Sequence, residues 1–204
     1  AERILEAAKH SFSGRLSIEP DGDGFRATIL GLKPATRYDV RASVVVGDET
    51  SNSPGIVVET GPEPPWLPEV TMSGSDPDAG FEGFLVTALM APGPTAAILD
   101  RDGDWVWWWN LEQEASKVAG NALLSNDGQS LLLLAFTPDP LDAEPGPMRI
   151  QLDGTGSAEL GVSGEIHHDL VELPDGTVAV FLHDVRIVDD EEVEGQRLVE
   201  IAPD

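Results

Sequence analysis

The chain has 204 residues, 41% of them apolar, which suffices for one large or two small domains with a packed core and argues against global disorder. A formal net charge of −25 lacks the basic stripe that nucleic acid or an anionic membrane surface requires. The absence of cysteine excludes disulfides, zinc–thiolate sites and a thiol nucleophile, and no run approaches the ~18 apolar residues of a membrane-spanning helix.

From the N-terminus, helical periodicity is confined to "AERILEAAKHS" (1–11), which has room for a turn or two and holds the isolated His10, a surface residue on this reading. Elsewhere short period-2 apolar runs alternate with glycine (21) and proline (16), so the chain is predicted to be all-β. Within 14–62, Leu32, Pro34, Thr36 and Tyr38 alternate at a predicted corner. Pro34 fixes the turn, and Tyr38 opens the next strand with its hydroxyl placed to bond upstream backbone, the tyrosine-corner device of β-sandwiches. This segment resembles the second half of a fibronectin type III domain, so residues 1–62 are expected to form a partial fibronectin III-like β-sandwich. A Pro/Gly-rich linker is predicted over 63–80, with "GPEPPWLP" stiffened by proline.

The remainder, 81–204, repeats itself. "NALLSNDGQSLLLLAF" (121–136) aligns with "DLVELPDGTVAVFLHD" (169–184) at an offset of 48, and "MRIQLD" (148–153) with "QRLVEI" (196–201). "AAILDRDG" (96–103) adds a partial third copy. Such a period, with several strands per unit, predicts an incomplete β-propeller of about two blades plus the start of a third. Propellers close with more blades than this, so the chain is expected to be a piece of a longer protein.

Three motifs bear on chemistry. Asp100, Asp102 and Asp104 alternate as a calcium loop begins, but Trp105 and Leu111 stand where that loop needs glycine and glutamate, so an acidic turn is expected and no metal is assigned. In "WVWWW", strict alternation puts Trp105, Trp107 and Trp109 on one face and Val106 and Trp108 on the other, in a strand buried on both faces. Outside these motifs, "DDEEVE" (189–194) has the composition of a solvated loop.

The third motif, "GEIHHDLVELPDGTVAVFLHDVR" (164–186), holds three of the four histidines. With Asp175-Gly176 as the central pair of a type I′ turn, His168 would face His183 and His167 would face Asp184. The repeat supplies a control. At an offset of 48, Ala119, Gly120 and Ala135 replace His167, His168 and His183. A packing device should recur between units; these histidines do not. His168, His183, Arg186 and His167 are therefore the candidate catalytic residues.

The order of a partial fibronectin-like segment, a proline linker, "ILDRDGDWVWWW" and "HHDLVELPDGTVAV" resembles bacterial arylsulfotransferases. The resemblance implies a six-bladed, exported propeller behind a small β-sandwich. It implies transfer of a sulfuryl group from a phenolic sulfate donor to a phenol acceptor through a sulfated channel histidine, without a nucleotide donor or any cofactor. On this chain His168 best matches the channel histidine, with His167 as the alternative and His183 and Arg186 as neighbours. Other family histidines would lie past Asp204, so this stretch alone is expected to be inactive. The competing expectation is a secreted, non-catalytic propeller with a fibronectin-like domain, used for binding or adhesion. Oligomeric state is left open by the sequence.

Overall fold

The computed structural model describes residues 5–6, 11–12, 18–71, 73, 83–90, 93, 95–111, 118–136, 146–162, 164 and 166–203. Among these it is all-β, built of small antiparallel sheets without a helix. No described helix is long and apolar enough to cross a membrane. The chain divides into two compact units, Ala1–Pro65 and Trp66–Asp204.

The first unit opens on β1 (Leu5–Glu6), which pairs with β2 (Ser11–Phe12) through Leu5 and Phe12, where the sequence pattern suggested a helical turn. His10 lies outside the described residues. A hairpin of β3 (Ile18–Asp21) and β4 (Gly24–Ala27) follows. Then come β5 (Arg37–Val40), a hairpin of β6 (Ser43–Val46) and β7 (Glu49–Asn52), and β8 (Ile56–Glu59), which returns to pair with β5. The tyrosine corner is formed. Tyr38 is 6% exposed, and Lys33 N donates to its hydroxyl at 2.8 Å. Thr60 ties the corner to the end of β8. Its hydroxyl donates to the Lys33 carbonyl at 2.6 Å and accepts from Thr36 N at 2.9 Å. The chain reverses at Pro34 and Ala35, the latter at φ 45°, and Ala35 N donates to the Gly61 carbonyl at 2.8 Å beside these side-chain bonds.

The second unit is a series of antiparallel meanders. The first contains β9 (Phe84–Leu89), β10 (Thr95–Asp100) and β11 (Trp105–Asn110), with β10 central. The second runs β12 (Val118–Leu124), β13 (Ser130–Phe136), β14 (Gly146–Gln151) and β15 (Ser157–Glu159). The third runs β16 (Ile166–Glu172), β17 (Val178–Val188) and β18 (Glu191–Ile201). Leu131 through Ala135 are all buried, the continuous apolar run of a strand covered on both faces. Leu132 and Leu134 of β13 pack on Ile166, Leu170, Val178, Val180 and Leu182, so the second and third sheets share one core. The first sheet's other core joins Ala97, Leu99, Trp105 and Trp108 to Trp66, Leu67 and Val70. The end of the proline-rich stretch is thus part of this unit, and Trp105 Nε1 donates to the Pro68 carbonyl at 2.9 Å.

Two local expectations change. A bulge opposite Ile98 and Leu99 sets Trp105 against Leu99 and Trp107 against Ile98, leaving Val106 as the extra residue. Trp105 and Trp108 therefore share a core, and strict alternation fails across the tryptophans because one residue is looped out. The acidic run 189–194 is not a loop. Asp189 and Asp190, at φ 52° and 64°, are the two residues of a tight turn, and Glu191 through Glu194 lie in an exposed strand.

At two of the Asp-Gly turns, 127–128 and 175–176, carboxylates hold the backbone. Asp127 Oδ1 accepts from Ser125 Oγ at 2.6 Å and Gln129 N at 2.9 Å; Asp175 Oδ1 accepts from Thr177 N at 3.0 Å. These bonds favour the charged form, so both carboxyls lie below the ordinary 3.8, Asp127 chiefly through Ser125 and Asp175 chiefly through the Thr177 amide. A depressed folded-state value contributes stability above the unfolded value and loses it as pH falls through the folded one. The stability difference between wild type and Asp127→Asn, followed by denaturant melts, should therefore be largest at neutral pH and shrink as pH drops below 3.8. A difference constant across that window would remove the linkage.

Candidate functional site

The site is built on the start of β16. Its hairpin with β17 pairs Glu172 with Val178, Val171 with Ala179 and Leu170 with Val180, then resumes at Ile166 with Leu182. Three residues, His167, His168 and Asp169, thus stand against the single Phe181. The backbone there bulges, three residues against one, and the ladder is interrupted.

This is not the expected register. The turn is closed by Gly176 N on the Leu173 carbonyl (2.9 Å) and Leu173 N on the Thr177 carbonyl (2.7 Å), with Gly176 at φ 86°. Pro174 and Asp175, not Asp175 and Gly176, are the central pair. Proline presets the φ of position i+1 in a type I turn, and the glycine then takes the left-handed place after it. The three-residue loop shifts every pair by one, and the bulge shifts the far end again. His168 therefore does not oppose His183, nor His167 Asp184. His183 lies one residue beyond the Ile166–Leu182 pair, on the side away from the bulge, and its backbone partner on β18 is Gln196.

The other predicted site residues have carboxylate partners. His183 Nδ1 lies 3.0 Å from Glu194 Oε1, an arrangement that orients the ring. Arg186 Nε donates to Asp184 Oδ2 at 2.6 Å on the exposed part of the β17–β18 ribbon. Its charge is shared with that aspartate.

A second bulge lies beside the first. On β12, Ala119 pairs with Ala135 and Ala122 with Leu133, so Gly120 and Asn121 oppose Leu134 alone. Asn121 Nδ2 donates to Asp169 Oδ1 at 2.6 Å, joining the two bulges across neighbouring sheets. These residues are 48 apart, the repeat offset itself. The repeat alignment sets Asn121 beside Asp169, but without a structure nothing marks them as touching. Both sheets bulge here, with two residues against one in β12 and three against one in β16; the histidines belong to the third sheet alone.

Other polar features lie elsewhere. A cleft of about 590 Å³ between the second and third sheets is lined by Asn126, Arg149 and Glu172 among others, and by none of the four predicted site residues. Its guanidinium is committed to Glu172 at 3.0 Å. The carboxylate oxygens of Asp100, Asp102 and Asp104 come within 4.8 Å of one another, but Asp100 Oδ1 accepts the Asp102 and Asp104 amides at 2.9 and 3.0 Å, as an acidic turn does. Compared with models of known protein families and with curated proteins, the chain matches none.

Proposed function

We propose that this chain carries part of the active site of an exported arylsulfotransferase-like enzyme, in which an imidazole of the β16 bulge is transiently sulfated. On this reading the three meanders are successive propeller blades and the first unit is a partial fibronectin III-like sandwich. The observation that carries the reading is the contrast between the two bulges. A bulge interrupts the ladder at corresponding places in β12 and β16, one residue larger in β16, and Gly120 and Asn121 stand where β16 has His168 and Asp169. Imidazoles added to one copy of a shared backbone device serve something other than the packing both copies need.

The chemistry uses groups the chain supplies. A neutral imidazole nitrogen of His168, or of His167, attacks the sulfur of an aryl sulfate; the N–S bond forms as the S–O(aryl) bond breaks, and the phenolate leaves with a proton. A phenol acceptor then loses its proton, its oxygen attacks the same sulfur, and the N–S bond breaks. His183, oriented by Glu194, suits the proton transfers. Arg186 is the residue for the sulfuryl oxygens, which it would reach in exchange for Asp184.

The test uses the longest natural polypeptide that contains this chain, with 4-nitrophenyl sulfate as donor and phenol as acceptor. Replacing the nucleophile, His168→Ala or His167→Ala, should lower kcat about a thousandfold or more while the melting temperature holds. Absence of transfer by the wild type, or full activity in both variants, would end the proposal.

A further inference from the structure

The bulge of β16 is held at both ends, and one of the holds comes from the neighbouring sheet. Between Ile166, paired with Leu182, and Leu170, paired with Val180, His167, His168 and Asp169 have a single residue opposite them. Residues that leave the ladder lose its bonds, and their backbone keeps one course only where other groups answer it. At the far end of this bulge the answer is Asp169. Leu173 N bonds the Thr177 carbonyl, so by the alternation of antiparallel pairs the Leu170 N–H turns away from β17, toward the edge of the sheet. Asp169 Oδ1 accepts it there at 2.8 Å.

The same oxygen accepts Asn121 Nδ2 at 2.6 Å. One carboxylate oxygen thus serves two donors, one from its own strand and one from the second sheet. Asn121 and Asp169 hold equivalent places in the repeat, and the bond needs them to differ. Two carboxylates would repel, whereas an amide against a carboxylate makes a short, charge-assisted pair. A second side-chain amide, Asn126 Nδ2, also bonds the third sheet, on the Leu173 carbonyl at 2.7 Å, but at the turn end of the hairpin, away from the bulge.

We infer that Asn121 is a positioning residue for His167 and His168. By holding the Asp169 carboxylate on the Leu170 amide, it fixes where β16 rejoins the ladder, and with it the backbone that carries both imidazoles. Pairing of Ile166 with Leu182 anchors the other end. The second sheet so contributes to the site without a reacting group. The inference rests on the proposed function for what the imidazoles do, and on the geometry alone for how they are placed.

Amide exchange and imidazole NMR of the 204-residue chain test the placement without turnover. In Asn121→Ala the Leu170 amide should exchange about tenfold faster, and the imidazole signals of His167 and His168 should shift while those of His183 stay. Asn121→Asp, which sets two carboxylates together, should loosen the amide further. Adding Asp169→Asn to Asn121→Asp exchanges donor and acceptor and should bring Leu170 back to within about threefold of wild type. Asn126→Ala should leave Leu170 and both imidazoles as they are. An unchanged Leu170 amide in Asn121→Ala, an equal acceleration in Asn126→Ala, or a double variant no better than Asn121→Asp would overturn the inference. In the transfer assay Asn121→Ala should lower kcat about tenfold with the donor KM nearly unchanged, and the exchanged pair should restore it. Full kcat in Asn121→Ala would also overturn the role. A wild type that transfers no sulfuryl group, with a Leu170 amide that still loosens in Asn121→Ala, would end the proposed function and leave the positioning role standing.

Discussion

Leu182→Ala in this chain should lower the stability of the second unit by about 2–5 kcal/mol, whereas Phe181→Ala, its neighbour, should cost no more than about 1 kcal/mol. Leu182 is 1% exposed and packs with Leu132, Leu134, Leu170 and Val180 between two sheets. Truncation there removes its burial and leaves a void that close-packed neighbours fill only in part. Phe181 points to the other face, where much of its ring meets water. All five tryptophans lie in the second unit, so their fluorescence during urea unfolding follows that unit alone. Equal losses in the two variants would show that Leu170 shares a face with Phe181, as a two-residue Asp-Gly turn requires, and would sink the observed register.

Glu172→Ala should destabilise the same unit by about 3 kcal/mol, at the lower end of the range for breaking a buried pair. The Glu172 side chain is 6% exposed; Oε1 receives Arg149, and Oε2 receives the Asn126 backbone amide. Removing it strands the guanidinium, whose remaining described bond is to Ser130 Oγ at 3.0 Å, and leaves the Asn126 N–H unanswered. The loss is not larger because the Arg149 side chain keeps 22% of its surface in contact with water. Glu172→Gln retains an acceptor and should lose less. Combining Glu172→Ala with Arg149→Met should recover most of the loss, since the double variant buries no unpaired charge. A double variant as unstable as the sum of the singles would mean that the two residues act independently.

The tyrosine corner was legible because its parts are local. Pro34 and Tyr38 are four residues apart, and the bond that defines the corner runs from Lys33 to Tyr38. The repeat was legible for a similar reason, since apolar alternation and Asp-Gly turns recur within each unit. The histidine register was not. It depended on whether Pro174 or Asp175 opens the turn, a choice that moves every opposed pair by one place. It depended also on a bulge that no residue type at 167–169 demands. The partnerships of His183 with Glu194, Arg186 with Asp184 and Asn121 with Asp169 were likewise outside its reach. Each joins residues whose proximity is set by the ladder or by the stacking of sheets rather than by spacing along the chain.

By itself, the sequence determined the all-β character, the corner at Tyr38, the recurrence of strand–turn units after residue 81, and the confinement of paired histidines to one of them. These follow from side-chain period and turn chemistry, which act over a few residues. Tertiary structure alone decided that His167 and His168 enter a bulge instead of opposing Asp184 and His183, that Trp105 shares a core with Trp108, and that Arg149 is answered by Glu172. Such outcomes depend on register and on which faces meet. A single-residue change in loop length or ladder pairing inverts both without altering the composition or period that a sequence displays.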